Sequence, residues 1–234
     1  MSDLITLDTA DGPMNVHVAR PATPSGRAVI VLQEAFGVNA HIKDIARRFA
    51  ERGFLALAPD LFHRTGVAEL PYDRHTDAVG LIGAIGVDPI VADVTACLDH
   101  LAEQGIDADK TAATGFCFGG RAAFTAATAL PGLGAAVVFY GPGIAAGPHA
   151  VLDRAASITA PLLLHVGADD PTIPAEHVNA IDKALADAGV AFTQHVYPEA
   201  GHAFACDARP HMFRAGPATE AWERTWAFLD GALA

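Results

Sequence analysis

Strands alternating with helices from end to end predict an α/β fold with a mostly parallel central sheet of about eight strands and helices on both faces. Three observations carry that expectation. Apolar runs such as Ala28-Val29-Ile30-Val31-Leu32 have the composition of a strand covered on both sides. Between such runs lie segments whose apolar residues recur every three or four positions, as one face of a helix requires. In the middle of the chain, Gly115-Phe116-Cys117-Phe118-Gly119 has the glycine spacing of a sharp turn from strand into helix.

The elements follow in order. Residues 4–9 and 14–19 alternate around Asp11-Gly12, a hairpin signal. Residues 27–32 form the first central strand and end in Gln33-Glu34-Ala35-Phe36-Gly37, placing a carboxylate and an amide where open α/β sheets bind ligands. On position alone, Glu34 is equally a solvated loop residue. Residues 41–52 are amphipathic, with Ile42, Ile45, Ala46, Phe49 and Ala50 on one face and Gly53 as the stop. A buried strand, 54–58, leads to Pro59-Asp60-Leu61. Residues 63–87 are polar and interrupted by glycine, and read as an irregular segment roofing a site, with Arg64, Arg74 and His75. A helix over 89–104 precedes strand 110–115 and a helix over 121–129. Strands 135–140, 161–166 and 192–197 follow, with a helix over 176–188 between the last two. A helix over 215–233 closes the chain.

Composition narrows the classes. The 234 residues suit one domain, 1–234, with a substantial core. The chain is 51% hydrophobic and 18% charged, which excludes disorder. It holds no apolar run of about 18 residues for a membrane helix, and Met1-Ser2-Asp3 does not begin a signal peptide. Three scattered cysteines, Cys97, Cys117 and Cys206, do not make a disulfide framework, so a cytoplasmic location is expected. A net charge of −12 argues against nucleic acid and anionic membranes as partners and leaves a small-molecule substrate, on a monomer or small homo-oligomer. Eleven histidines show no metal-binding spacing, so no metal is expected.

Gly115-x-Cys117-x-Gly119 fits a nucleophile elbow carrying sulfur in place of a hydroxyl. The competing reading is a core cysteine between two Phe residues, because free cysteines are commonly buried. A second competitor is the nucleotide turn of short-chain dehydrogenases. That turn should follow the first strand, and no Tyr-x-x-x-Lys pair exists: Tyr72, Tyr140 and Tyr197 are followed at that spacing by Thr76, Ile144 and Gly201. Asp170 follows the next strand but one, and His202 follows the last strand. Nucleophile, acid and base thus occur in the α/β-hydrolase order along one sheet edge. Asp169 is a rival for the acid. Asp170 is preferred because it stands directly before Pro171.

Gly115-Phe116-Cys117-Phe118-Gly119-Gly120, together with Gln33-Glu34-Ala35-Phe36-Gly37, Pro59-Asp60-Leu61 and Gly201-His202-Ala203-Phe204, resembles the dienelactone hydrolase (carboxymethylenebutenolidase) family over about residues 4–230. The resemblance implies the α/β-hydrolase fold, cysteine-dependent hydrolysis of esters or lactones, and no cofactor. It further implies a Cys117-His202-Asp170 triad, Glu34 restraining the thiol before substrate arrives, and an oxyanion hole from the Phe118 and Ala35 N–H groups. Phe36 and Tyr140 would line the substrate. The family's histidine loop carries a serine and an arginine for a substrate carboxylate where this chain has Ala203 and Cys206. Arg209 and Arg74 are the candidate replacements. A short-chain esterase or thioesterase that does not use dienelactone, and a catalytically silent small-molecule binder, are the alternatives.

Overall fold

The computed structural model describes residues 2–234, and its hairpin begins the sheet: β1 (Ser2–Thr9) and β2 (Gly12–Ala19) pair antiparallel across Asp11-Gly12. Gly12, at φ 108°, supplies the left-handed residue that this tight turn needs. β2 then pairs antiparallel with β4 (Leu55–Pro59), and from there the sheet is parallel. β3 (Ala28–Leu32), β5 (Thr111–Phe116), β6 (Ala135–Phe139), β7 (Leu162–Gly167) and β8 (Phe192–Tyr197) complete eight strands in the order β1-β2-β4-β3-β5-β6-β7-β8.

Period-two alternation splits the core between the two faces. Ile30, Leu32 and Leu57 pack with α3 (Val87–Glu103), α4 (Phe118–Ala129) and the Ile181 and Leu185 side chains of α5 (Ala175–Asp187). Val29, Val31, Ala56 and Ala58 pack with α1 (Ala40–Glu51) and α6 (Ala215–Ala232). Both faces of the central strands are therefore dry, as their unbroken apolar runs require. Asn39 caps α1 by accepting the Ile42 N–H through its side chain.

One element departs from the expectation. The supposedly irregular stretch contains α2 (His75–Ala84), of which only Ala78 is buried. Gly80 and Gly83 lower its helix propensity, and a helix that buries one small residue leaves almost no apolar period to detect. Elsewhere the ends of elements move by one to three residues, without changing their order. Among the described residues, no single helix is long and apolar enough to cross a membrane.

Candidate active site

The turn between β5 and α4 builds the first part of the site. Cys117 has φ 55° and ψ −118°, a conformation that side chains rarely adopt, and its N–H donates to the Phe139 carbonyl at 3.0 Å. The flanking glycines make this crossing possible. A β-carbon on Gly115 would lie 1.9 Å from the Gly119 carbonyl oxygen, and one on Gly119 would lie 2.1 Å from that of Leu32. The half-buried thiol consequently stands at the carboxyl edge of the sheet, at the N-terminus of α4, where the first-turn N–H groups favour negative charge. Phe118 opens that helix, and Ala35 lies buried in the loop just after β3.

His202 comes from the loop after β8. Its Nδ1 lies 2.8 Å from Asp170 Oδ2 and 3.1 Å from Thr172 Oγ1. The Asp170 side chain is fully buried, whereas Asp169 is exposed. The Thr172 N–H and hydroxyl both donate to Asp170 Oδ1, at 2.8 and 2.6 Å. Burial works against the Asp170 carboxylate, yet the His202 hydrogen bond and charge and the two Thr172 donors hold its pKa below the usual range. Thr172 went unnoticed in the sequence, although Asp-Pro-Thr is the pattern of a carboxylate folding back on the N–H two residues on. Tyr140, buried at φ 39°, meets His202 edge-on with centroids 5.4 Å apart.

Burial also opposes charge on His202. The Cys117 sulfur as thiolate and the Asp170 carboxylate outweigh it and push His202 up to about 10. A histidine whose protonation the folded chain favours adds stability that is complete below its unfolded value of about 6.5 and fades as pH rises to about 10. The wild-type Tm is therefore expected to fall more steeply between about pH 7 and pH 10 than that of Cys117→Ala. Parallel curves for the two proteins would mean that Cys117 and His202 are not charge-coupled.

Glu34 lies buried in the loop just after β3. Its fully buried carboxylate accepts from Arg209 Nη2 at 2.6 Å, and Cys206 Sγ lies 3.8 Å from its other oxygen. A buried carboxylate needs a compensating cation, and the arginine three residues beyond Cys206 supplies it. Arg209 Nε reaches Cys206 Sγ at 3.4 Å and Nη1 reaches Met212 Sδ at 3.5 Å. Its guanidinium lies 4.9 Å from the Tyr72 ring centroid and 5.4 Å from that of Phe36. Burial disfavours the Arg209 charge, but Glu34 outweighs it and raises the pKa. Phe36 is buried edge-on to Tyr72, whose hydroxyl accepts from Asn39 Nδ2 at 3.1 Å. Arg74, by contrast, is exposed at the start of α2 and paired with Asp77.

Glu34, His41 and Cys206 each bring one donor atom within 4.8 Å of the others, all three buried. The Arg209 guanidinium already sits on two of them, so a metal cation there would meet a fixed positive charge.

The sequence profile described as the dienelactone hydrolase family matches residues 14–233. A protein of Yersinia pestis named "Putative carboxymethylenebutenolidase" is 37% identical over 226 residues, spanning 94% of this chain and 84% of that protein. The carboxymethylenebutenolidase of Pseudomonas sp. (strain P51) is 32% identical over 206 residues, or 86% and 83% of the two chains. Among solved structures, the "Putative Dienelactone Hydrolase" of Klebsiella pneumoniae superposes with a TM-score of 0.89 at 33% identity, covering 98% of both chains.

Proposed function

The chain belongs to the dienelactone hydrolase family, and on that ground we propose that it hydrolyses carboxylic esters or lactones with Cys117 as nucleophile, His202 as base and Asp170 as the acid that orients it. The observation that carries the reading is His202 itself, held at Nδ1 by Asp170 at the same sheet edge as a strained cysteine at the head of a helix.

The steps follow from the geometry. With Asp170 on Nδ1, the imidazole is fixed in orientation and its charged form is favoured, so Cys117 gives its proton to His202 and attacks the acyl carbon as thiolate. The carbonyl oxygen becomes an oxyanion, for which the Phe118 and Ala35 N–H groups are the donors. In such holes one donor contributes about 3 to 4 kcal/mol. The tetrahedral adduct collapses, the C–O bond breaks, and His202 returns the proton to the leaving alkoxide. A thioester on Cys117 remains. His202 then takes a proton from water, whose oxygen displaces the sulfur and releases the acid. The cycle draws on no metal or organic cofactor.

Arg209 favours a second substrate reading within the same chemistry. Because its nitrogens are engaged by Glu34, Cys206 and Met212, short-chain neutral esters or thioesters suit the site better than a carboxylated dienelactone. Trapping the intermediate tests the mechanism. Acid quenching during turnover of a slow acyl ester should leave one acyl group on the peptide carrying Cys117, seen by mass spectrometry. An acyl group on any other residue would overturn it. Stoichiometric alkylation of Cys117 with no loss of esterase activity would point to a binder whose measured hydrolysis arises elsewhere.

A further inference from the structure

The loop from Gln33 to Asn39 is pressed between the elbow and the segment over residues 65–86 that roofs it. On the elbow side, a β-carbon on Gly119 would lie 2.1 Å from the Leu32 carbonyl oxygen and 2.5 Å from that of Gln33, so backbone meets backbone there. On the roof side, Gly37 faces Glu69 in an antiparallel bridge, and the Leu70 N–H donates to the Phe36 carbonyl at 3.1 Å. Gly37 has φ 83°, and a β-carbon on it would lie 2.2 Å from the Ala68 carbonyl oxygen, so this approach needs glycine. Of α2 only Ala78 is buried, and it is buried against this same loop, in a small apolar cluster with Ala35 and Phe36. The roof is pinned at both ends. Arg64 donates twice to the buried Asp93 carboxylate, at 2.9 and 2.7 Å, and buried Arg121 donates through Nη2 to the Ile85 carbonyl at 3.2 Å.

The two ends of the loop are fixed by other elements. Gln33 Oε1 accepts the Leu61 N–H at 3.1 Å, and Asn39 caps α1 while its Nδ2 donates to the Tyr72 hydroxyl. Between them, the backbone around Ala35 and Phe36 meets the roof. An oxyanion donor contributes only when it is held where the charge develops, and a displacement of about 1 Å costs up to roughly a hundredfold in rate. The Phe118 N–H is fixed by α4, whose first residue it is, whereas the Ala35 N–H sits on a loop. We infer that the roof is a positioning element for the oxyanion loop: through Leu70 on Phe36 and the close approach at Gly37 it holds the Ala35 N–H against the elbow. The exposed Lys43–Glu69 pair, 4.0 Å apart, adds little to that hold.

The inference rests on the proposed reaction at Cys117, so the test pairs a probe that makes an oxyanion with one that does not. A short trifluoromethyl ketone is attacked by the Cys117 thiolate: the S–C bond forms, the carbonyl π pair moves onto oxygen, and nothing leaves. Iodoacetamide alkylates the same thiol with loss of iodide and makes no oxyanion. Affinity for the ketone, the alkylation rate, and kcat and KM for a neutral short-chain ester are measured in wild type, Gly37→Ala, Leu70→Pro and Leu70→Ala, with Tm recorded for each. Leu70→Pro deletes the N–H that Phe36 accepts, whereas Leu70→Ala keeps it. Gly37→Ala and Leu70→Pro should lower kcat and ketone affinity together, by about ten- to a hundredfold, with KM and alkylation within about twofold of wild type. Leu70→Ala should lose much less than Leu70→Pro. An unchanged kcat in folded Leu70→Pro would overturn the inference. So would a rise in KM alone, which would make the roof a wall of the substrate pocket. Alkylation slowed as much as ketone binding would overturn it as well, because the thiol itself would have moved. Equal losses in the two Leu70 variants would trace the effect to the side chain and not to the hydrogen bond, with the same result. Failure of the nucleophile assignment would appear separately, as ester turnover surviving in Cys117→Ala.

Discussion

Cys117→Ala is expected to lower kcat/KM for ester hydrolysis by roughly a thousandfold or more, the scale of loss when a nucleophile is removed from a charge-coupled set. The fold should persist. Alanine keeps the β-carbon at φ 55°, and the thiol is only half-buried, so little packing is lost. Cys97→Ala is the informative control. That sulfur is fully buried in the α3 side of the core, and burial with a nearby Asp93 pushes the thiol well above its usual range, so it is inert at neutral pH. Its loss should cost stability, on the order of 1 kcal/mol for a small cavity, and leave turnover largely intact. Wild-type turnover by Cys117→Ala, measured on protein shown to contain no residual wild type, would sink the assignment.

What the sequence made legible were the parts whose cause is local. The runs around Val29–Val31 and Leu163 are apolar because both faces of the sheet are covered, and that pattern is complete within five or six residues. The elbow is equally local, since Gly115 and Gly119 are needed by backbone atoms a few residues away or on the adjacent strand β3. What remained hidden depends on distant partners. Glu34 and Arg209 are 175 positions apart, and nothing next to either says that they meet. Arg121 reads as an ordinary helix residue, because its burial comes from the segments around Ile85 and Gly143. α2 was missed for the opposite reason: it rests so lightly on the core that it leaves no apolar stripe. The order Cys117, Asp170, His202 is visible in the sequence, but the Thr172 clamp on Asp170 requires knowing that the side chain turns back on its own loop.

Arg209→Ala is expected to act first on stability and only second on substrate choice. A fully buried Glu34 would lose its cation, and breaking a buried ion pair from one side typically costs about 3 to 5 kcal/mol. Tm should drop sharply, and the double variant Glu34→Gln/Arg209→Met should recover much of the loss, because no unpaired charge is then left behind. In the wild type the guanidinium has no free fork to offer a substrate carboxylate: Glu34 takes Nη2, Cys206 takes Nε and Met212 takes Nη1. Arg74, the other candidate, is exposed and bound to Asp77. A bidentate arginine is what normally offsets the desolvation of an anionic substrate. Neutral short-chain esters should therefore show a kcat/KM at least equal to that of carboxylated lactones. A wild-type preference for the carboxylated substrate that vanishes in the folded Glu34→Gln/Arg209→Met protein would instead place Arg209 in substrate binding. It would mean that Glu34 releases the guanidinium when substrate arrives.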